Sequence, residues 1–233
     1  MNNLTIQEEP EISGPGLYFG LLHAHSGISD DTIPAEDLFA SAAQMPGLDF
    51  FAVTDHSDSF DNHKTGAIGT DGSTVSADWT SGKAAAAAVT GTSFVGIYGY
   101  EMSWPANMQI GHISTFCTPG FQSWQQDAYR KYNGALQHYY RALSSVPNSI
   151  SQFNHPGTQY GTFLDFAYSE TADRAVTLLE TGTGSDAYDY YTAALDLGWH
   201  LAPTGNRDNA ETVRTVVYAQ TLTEDGIYDA LRK

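Results

Sequence analysis

Cysteine is almost missing from the 233 residues: Cys117 stands alone, which excludes an internal disulfide framework and a cysteine-rich zinc site. Basic side chains are scarce too. Ten Lys and Arg face 27 Asp and Glu, a formal net charge of -17. A field of that sign repels nucleic-acid backbones and anionic membranes unless metal ions reverse it locally, so no stable nucleic-acid binding is expected. No stretch approaches the ~20 consecutive apolar residues of a membrane span, and the run Ala84 to Ala88 belongs to a short amphipathic segment, so no membrane insertion is expected. The start, MNNLTIQEEPEISGPG, has no basic cluster followed by an apolar run and reads as no signal peptide. No repeat of fixed period is visible.

What is present is a hydrophobic fraction of 41%, with 12% aromatics, enough for one substantial core. Residues 1–16 are acidic, polar and punctuated by Pro10, Gly14, Pro15 and Gly16, which predicts a flexible lead-in; residues 17–233 read as a single domain. Within it, short apolar runs alternate with helical stretches. Leu17 to Leu22 is nearly continuous and ends in His23-Ala24-His25; Pro34 then opens PAEDLFASAAQM, with Glu36 and Asp37 in its first turn where the helix dipole favours them. Leu48 to Thr54 runs into Asp55-His56, and Ala77 to Val89 reads as a helix. Phe94 to Tyr100 runs into Glu101, Gly111 to Phe116 carries His112, Asn133 to Val146 is helix-like, and Ser149 to Phe153 leads to Asn154-His155-Pro156. Ala175 to Leu179 ends at Glu180, Ala187 to Leu197 is helical, Trp199 to Thr204 runs to Asp208, Val213 to Ala219 is a strand, and Thr223 caps a last helix. The alternation predicts an α/β fold, either a parallel barrel or an open sheet. Because the polar groups follow the C-terminal ends of several different strands, the barrel is preferred, with its site at those ends.

His23-Ala24-His25 is the sharpest local signal, since residues two apart in an extended chain project to one side and two imidazoles can grip one ion. Alone, it is equally two strand histidines satisfied by the backbone. Asp30 adds a carboxylate at loop reach. Asp55 beside His56 is the kind of neighbour that orients an imidazole toward a metal. Glu101 follows an apolar strand with no nearby Lys or Arg in sequence, and a buried unpaired carboxylate is costly unless it meets a cation. His112 and His155 extend the set, and Asn154-His155-Pro156 fixes the backbone after the histidine. Five of only eight histidines fall at or near strand ends. Histidines and carboxylates without thiolates suit Zn, Mn or Fe, and a bridging carboxylate such as Glu101 favours two or more ions.

On these residues the chain resembles the polymerase and histidinol phosphatase (PHP) superfamily of metallo-phosphoesterases, in motif order from Leu22 to Asp208. It is most similar to the branch that includes the CehA/McbA-type hydrolases, through Tyr18-Phe19-Gly20, Ala52 to Ser57, Gly99-Tyr100-Glu101, Gly111-His112-Ile113, Phe153 to Gly157 and Ala202-Pro203-Thr204. The resemblance implies a distorted (β/α)7 barrel. It further implies one ion on His23, His25, Glu101 and Asp208, a second on His112 and His155 with Glu101 bridging, and a third on Asp30 and His56. The family pattern ends Asp-x-His at the last motif, whereas this chain has Asp208-Asn209-Ala210. The expectation is therefore two divalent ions and a weak or empty third position, with Asn209 or His63 as poor substitutes.

The function that follows is a metal-dependent hydrolase acting on a small phosphoester through a metal-bridging hydroxide, with Glu101 and Asp208 in the catalytic centre and Arg207 a candidate to grip phosphate. An ester, amide or carbamate hydrolase on the same site is the first alternative. The second is a ligand-binding module that has lost catalysis, with the aromatic segments Phe121 to Tyr140 and Tyr188 to Tyr191 stacking on a sugar, although such spacings first suggest core. His200 reads as a core or rim histidine, and Glu180 as a residue that orients a ligand. The chain ends directly after a helix, where the branch it resembles continues into a strand, so a domain cut from a longer protein is expected. Low lysine and the Tyr/Ser/Thr/Gly-rich composition point to an exported protein, with the cytoplasm as the alternative.

Overall fold

A computed structural model describes residues 14–131, 134–182, 186–205, 208 and 213–232. The first half alternates strand and helix: β1 (Gly16–Leu21), α1 (Ala35–Ala42), β2 (Phe50–Val53), α2 (Ala77–Val89), β3 (Val95–Tyr98). Next come β4 (Tyr100–Ser103), β5 (His112–Phe116), α3 (Ala135–Ser144), β6 (Ile150–Asn154), α4 (Phe163–Phe166), α5 (Glu170–Asp173), β7 (Val176–Glu180), α6 (Ala187–Asp196), β8 (Ala202–Thr204), β9 (Thr215–Ala219) and α7 (Glu224–Leu231). The local signals act as chemistry requires. Ser76 accepts a hydrogen bond from the Trp79 N–H and starts α2, and Thr223 accepts from Gly226 to start α7.

The expected closed parallel barrel does not form among the described residues. Strands order as β3-β2-β1-β9 in one sheet and β4-β5-β6-β7-β8 in another. Strands joined through helices are parallel in the pairs β1/β2, β2/β3, β6/β7 and β7/β8, but β4/β5, β5/β6 and β1/β9 are antiparallel. Residues 104–111 are too short a link for the crossover of a dozen or more residues that a parallel β4/β5 pair needs. The sheets part at Gly99, where a Cβ would lie 2.4 Å from the Thr115 carbonyl oxygen. A parallel bridge, His56 to Glu101, joins them on the far side of that break. Glu101 consequently lies within β4, and not beyond the end of the preceding strand as its sequence suggested.

The core is aromatic. Phe60, Trp79, Tyr98, Tyr100 and Phe121 pack edge-to-face, tilted and, for Phe60 on Tyr98, stacked, with ring centroids 4.8 to 6.4 Å apart. Phe121, Tyr129, Tyr139 and Tyr140 are buried, so the segment considered for sugar stacking is core, while Tyr188 is exposed. The turn labelled α4 is left-handed: Phe163, Leu164, Asp165 and Phe166 have φ of 55, 57, 54 and 53°. That conformation costs roughly 1–2 kcal/mol per non-glycine residue. Packing holds it, since Phe163 stacks on Phe153 at 4.1 Å and the Trp199 indole N–H donates to the Phe166 carbonyl.

Candidate metal centre

The C-terminal ends of β1, β2, β6, β7 and β8 and the start of β5 converge on the carboxylate of Glu101, which is fully buried. His56 Nδ1 lies 2.7 Å from Oε2 and His25 Nε2 3.7 Å from it; His23 Nε2, His155 Nε2 and His112 Nδ1 lie 3.3, 3.3 and 3.5 Å from Oε1. Asp208 Oδ1 closes the His23/His25 side, 3.3 Å from His25 Nε2 and 3.9 Å from His23 Nε2. Asp30 reaches the other side, with Oδ2 3.1 Å from His56 Nε2. All eight residues expected as ligands are thus brought to one place. Arg207, Asn209 and Ala210 lie outside the described residues.

Hydrogen bonds fix the protons on several of these rings. His23 Nδ1 faces Glu180 Oε2 at 3.2 Å and donates to it, which aims Nε2 at the centre. The Ser29 hydroxyl donates its one proton to Asp55, so its oxygen accepts from His25 Nδ1 at 3.0 Å, which turns His25 Nε2 toward the same centre. His112 Nε2 donates to the Trp104 carbonyl at 3.2 Å, while its Nδ1 is buried with no hydrogen-bond partner. The Nε2 atoms of His23 and His25 face each other at 3.2 Å, a contact that a proton on His23 bridges in the metal-free chain and that a shared cation can replace. Two nitrogens about 2.0–2.1 Å from one ion at angles of 90–109° would be about 2.8–3.4 Å apart, so the observed spacing fits a shared metal. Two triads have ligand atoms within 4.8 Å of one another, His23-His25-Glu101 and His56-Glu101-His112. His56 therefore joins Glu101 and His112 through Nδ1 while meeting Asp30 through Nε2, where the sequence grouped it with Asp30 alone.

Electrostatics point the same way. Glu101 bears its desolvation in full, and the surrounding His112, His23 and His56 nevertheless hold it well below the usual carboxylate range. Burial opposes the charged form of His23 and His56, yet Glu180 and Glu101 raise His23 well above 6.5, and Glu101 and Asp30 raise His56 to about 9. Burial lowers His112. Burial resists ionisation of Asp208, and hydrogen bonding to His25 and the charge of His23 bring it down to about 2. Without metal, protons on His23 and His56 supply the missing positive charge. Metal uptake at pH 7.5 must expel them, so calorimetry in buffers of different ionisation heat should show release of about two protons at saturation. Uptake without proton release would contradict this charge state.

Of the residues that aim the ligands, the sequence suggested Glu180 and missed Asn154, Gln152 and Thr204. Glu180 is buried and accepts from His23 Nδ1, from the His155 backbone N–H at 2.9 Å and from the Asp208 backbone N–H at 3.2 Å, orienting three ligand segments at once. Asn154 donates to Glu101 Oε1 at 2.6 Å, accepts from Gln152, and Gln152 accepts from Thr204, all buried. The signal was there: Gln152 and Asn154 are polar residues two apart in an otherwise buried strand, hence on one face. Asp55 does not orient His56. Its carboxylate accepts from Ser26, Ser29 and Tyr98 and so shapes the loop after His25, acting on a different histidine. His63 is tied to the Phe60 carbonyl and belongs to neither triad; His200 is 82% exposed and paired with Asp173, a surface histidine.

No protein-family model matches the chain, and no curated protein matches it in sequence. Among solved structures it is similar to a two-domain protein containing a predicted PHP-like metal-dependent phosphoesterase from Bacteroides vulgatus, at a TM-score of 0.57 and 16% identity over 100% of this chain and 67% of that one. It is also similar to PsfC from Pseudomonas syringae, at a TM-score of 0.58 and 14% identity over 94% of this chain and 88% of that one. These likenesses do not reach the CehA/McbA-type branch. At such identities they are likenesses of fold: the chain is an α/β protein sharing its architecture with a PHP-like protein, with histidine and glutamate groups placed to hold metal.

Proposed function

We propose that this chain is a metal-dependent hydrolase of small phosphoesters, with its two sheets forming an opened version of the distorted barrel. One observation carries the reading: the His23 and His25 Nε2 atoms meet at 3.2 Å against the buried Glu101, with Nδ1 of His112 aimed at the same carboxylate. His23, His25, Glu101 and Asp208 would hold one ion, and Glu101, His112 and His155, with His56 alongside, a second; Asp30 and His56 are left as a poor third site. Manganese, zinc or iron suits this nitrogen and oxygen donor set. Bound there, divalent ions would polarise a phosphoryl group and make water acidic enough to attack it at neutral pH.

The chain's own contribution is position. Glu101 is held by Asn154 on one oxygen and Ser103 on the other, so its two oxygens are presented to two sides. Asp208, half-exposed and ionised, marks the open side of the centre. Water's oxygen forms the new P–O bond as the ester P–O bond breaks, and the departing alkoxide takes up a proton. An acyl-ester hydrolase is the second reading: among the described residues no Lys or Arg pairs with the site carboxylates, and Arg207, the candidate to grip phosphate, lies outside them. Turnover of p-nitrophenyl phosphate and bis-p-nitrophenyl phosphate is expected to exceed that of p-nitrophenyl acetate, and His25→Ala is expected to abolish it. Acetate turnover alone would shift the reading to acyl esters, and no metal-dependent turnover would leave a binding module.

A further inference from the structure

Against the loop that follows His155 lies a cavity of about 560 Å³, lined by Gln109, Thr158, Thr162, Leu164, Asp165 and Tyr190 together with Gly157 and Gly161. This falls within the roughly 300–1,000 Å³ usual for small-molecule sites. One loop joins it to the centre. Gly157 and Gly161 exchange reciprocal backbone hydrogen bonds of 3.1 and 2.9 Å, closing a five-residue hairpin directly after His155-Pro156. Within that hairpin Tyr160 packs on His112 with ring centroids 4.3 Å apart and on His155 at 5.4 Å, while Gly157, Thr158 and Gly161 line the cavity. The cavity is therefore one residue's reach from two candidate ligands.

The walls are preset. Gly161 has φ +121°, and a Cβ there would fall 2.3 Å from the Gln109 backbone, so the hairpin sits against residue 109 as only glycine permits. The left-handed turn Phe163 to Phe166, locked between Phe153 and Trp199, brings Leu164 and Asp165 to the cavity wall. Strain held in place by surrounding packing is characteristic of ligand clamps.

The lining also defines a ligand chemistry. Among the described residues it contains no Lys, Arg or His, which argues against an anionic group. Thr162 donates its hydroxyl proton to Asp165 Oδ1 at 3.0 Å, so its oxygen is left to accept. Gln109 commits its amide nitrogen to the Ala106 and Gln159 carbonyls, so its oxygen is left to accept as well. Acceptors dominate, and they call for a ligand rich in O–H donors. The Tyr190 ring and Leu164 add apolar surface suited to a C–H face.

We infer that this cavity is a leaving-group pocket for a neutral, polyhydroxylated alcohol such as a sugar or polyol. The substrate it implies, a sugar or polyol phosphate, rests on the hydrolase reading above; the pocket itself does not.

The test has a binding arm and a kinetic arm. In saturation-transfer NMR on the metal-free full chain, methyl β-D-glucoside is expected to receive saturation, and Tyr190→Ala and Asp165→Asn to abolish it, with thermal melts confirming that both variants fold. Transfer to choline and none to the glucoside would overturn the proposal in favour of a cationic group. In metal-loaded protein, Asp165→Asn is expected to reduce the preference for glucose 6-phosphate over ethyl phosphate, too short to fill the cavity, by about tenfold or more. An unchanged preference would overturn the pocket's role in selectivity. If no phosphoester is turned over yet the glucoside still binds and Tyr190→Ala removes it, the hydrolase reading fails and the pocket stands.

Discussion

Glu101→Gln is expected to drop metal content below one ion per chain and to lower kcat/KM by about 10³-fold or more, because one change removes the charge that organises both triads. Five histidine nitrogens lie 2.7 to 3.7 Å from this carboxylate. The amide preserves shape, so the effect reads charge and donor type. A glutamine there turns an NH2 toward at least one imidazole lone pair and leaves a single oxygen where two ions need one each. Its nitrogen would also meet the Asn154 amide or the Ser103 hydroxyl, both donors to Glu101 in the native chain. The fold should survive, since Glu101 makes its ladder contacts through the backbone of β4. Far-ultraviolet circular dichroism would check this, alongside metal analysis and kinetics. Activity within about tenfold of the native chain would place the chemistry elsewhere.

Glu180→Gln is the second large effect, and it acts without touching an ion. The native carboxylate accepts three hydrogen bonds, from His23 Nδ1, the His155 N–H and the Asp208 N–H, on three segments far apart in sequence. The substituted amide has one carbonyl oxygen and an NH2, so at least one of these donors faces a donor. If that donor is His23, the ring must give up its proton at Nδ1 and take it at Nε2, against His25. Loss of such an orienting partner typically costs 10–100-fold in metal affinity, and a decrease of about that size is expected by competition with a chromophoric chelator. A purely structural role would lower the melting temperature equally with and without metal. A positioning role lowers it more in the metal-loaded chain, because metal binding contributes to folded-state stability.

Much of this centre was legible because ligands cluster where a strand stops and its apolar run breaks: Asp55-His56 and Asn154-His155 each follow a run that is buried in the structure, while His23-Ala24-His25 follows one buried only at Leu21 and Leu22, with Leu17 and Phe19 exposed. Strand and helix positions agree for the same reason, with α2 spanning Ala77–Val89 and α7 capped by Thr223. Strand direction was not legible. Apolar runs carry no sign, and the antiparallel β4/β5 pair follows from the length of its connection, not from its side chains. Nor was the destination of Asp55, whose partners Ser26, Ser29 and Tyr98 are 26 to 43 residues distant. Adjacency to His56 suggested one role and the fold gave it another. The chain Thr204-Gln152-Asn154-Glu101 spans three strands of one sheet and becomes visible only once their register is known.

Metal analysis of the purified chain tests the convergent imidazole nitrogens most directly. After incubation with manganese, zinc or iron and removal of excess, about two ions per chain are expected, with His25→Ala retaining at most about one, and chelation should lower the melting temperature. A folded native chain that takes up less than about 0.1 ion, with a melt indifferent to chelator, would contradict the metal centre.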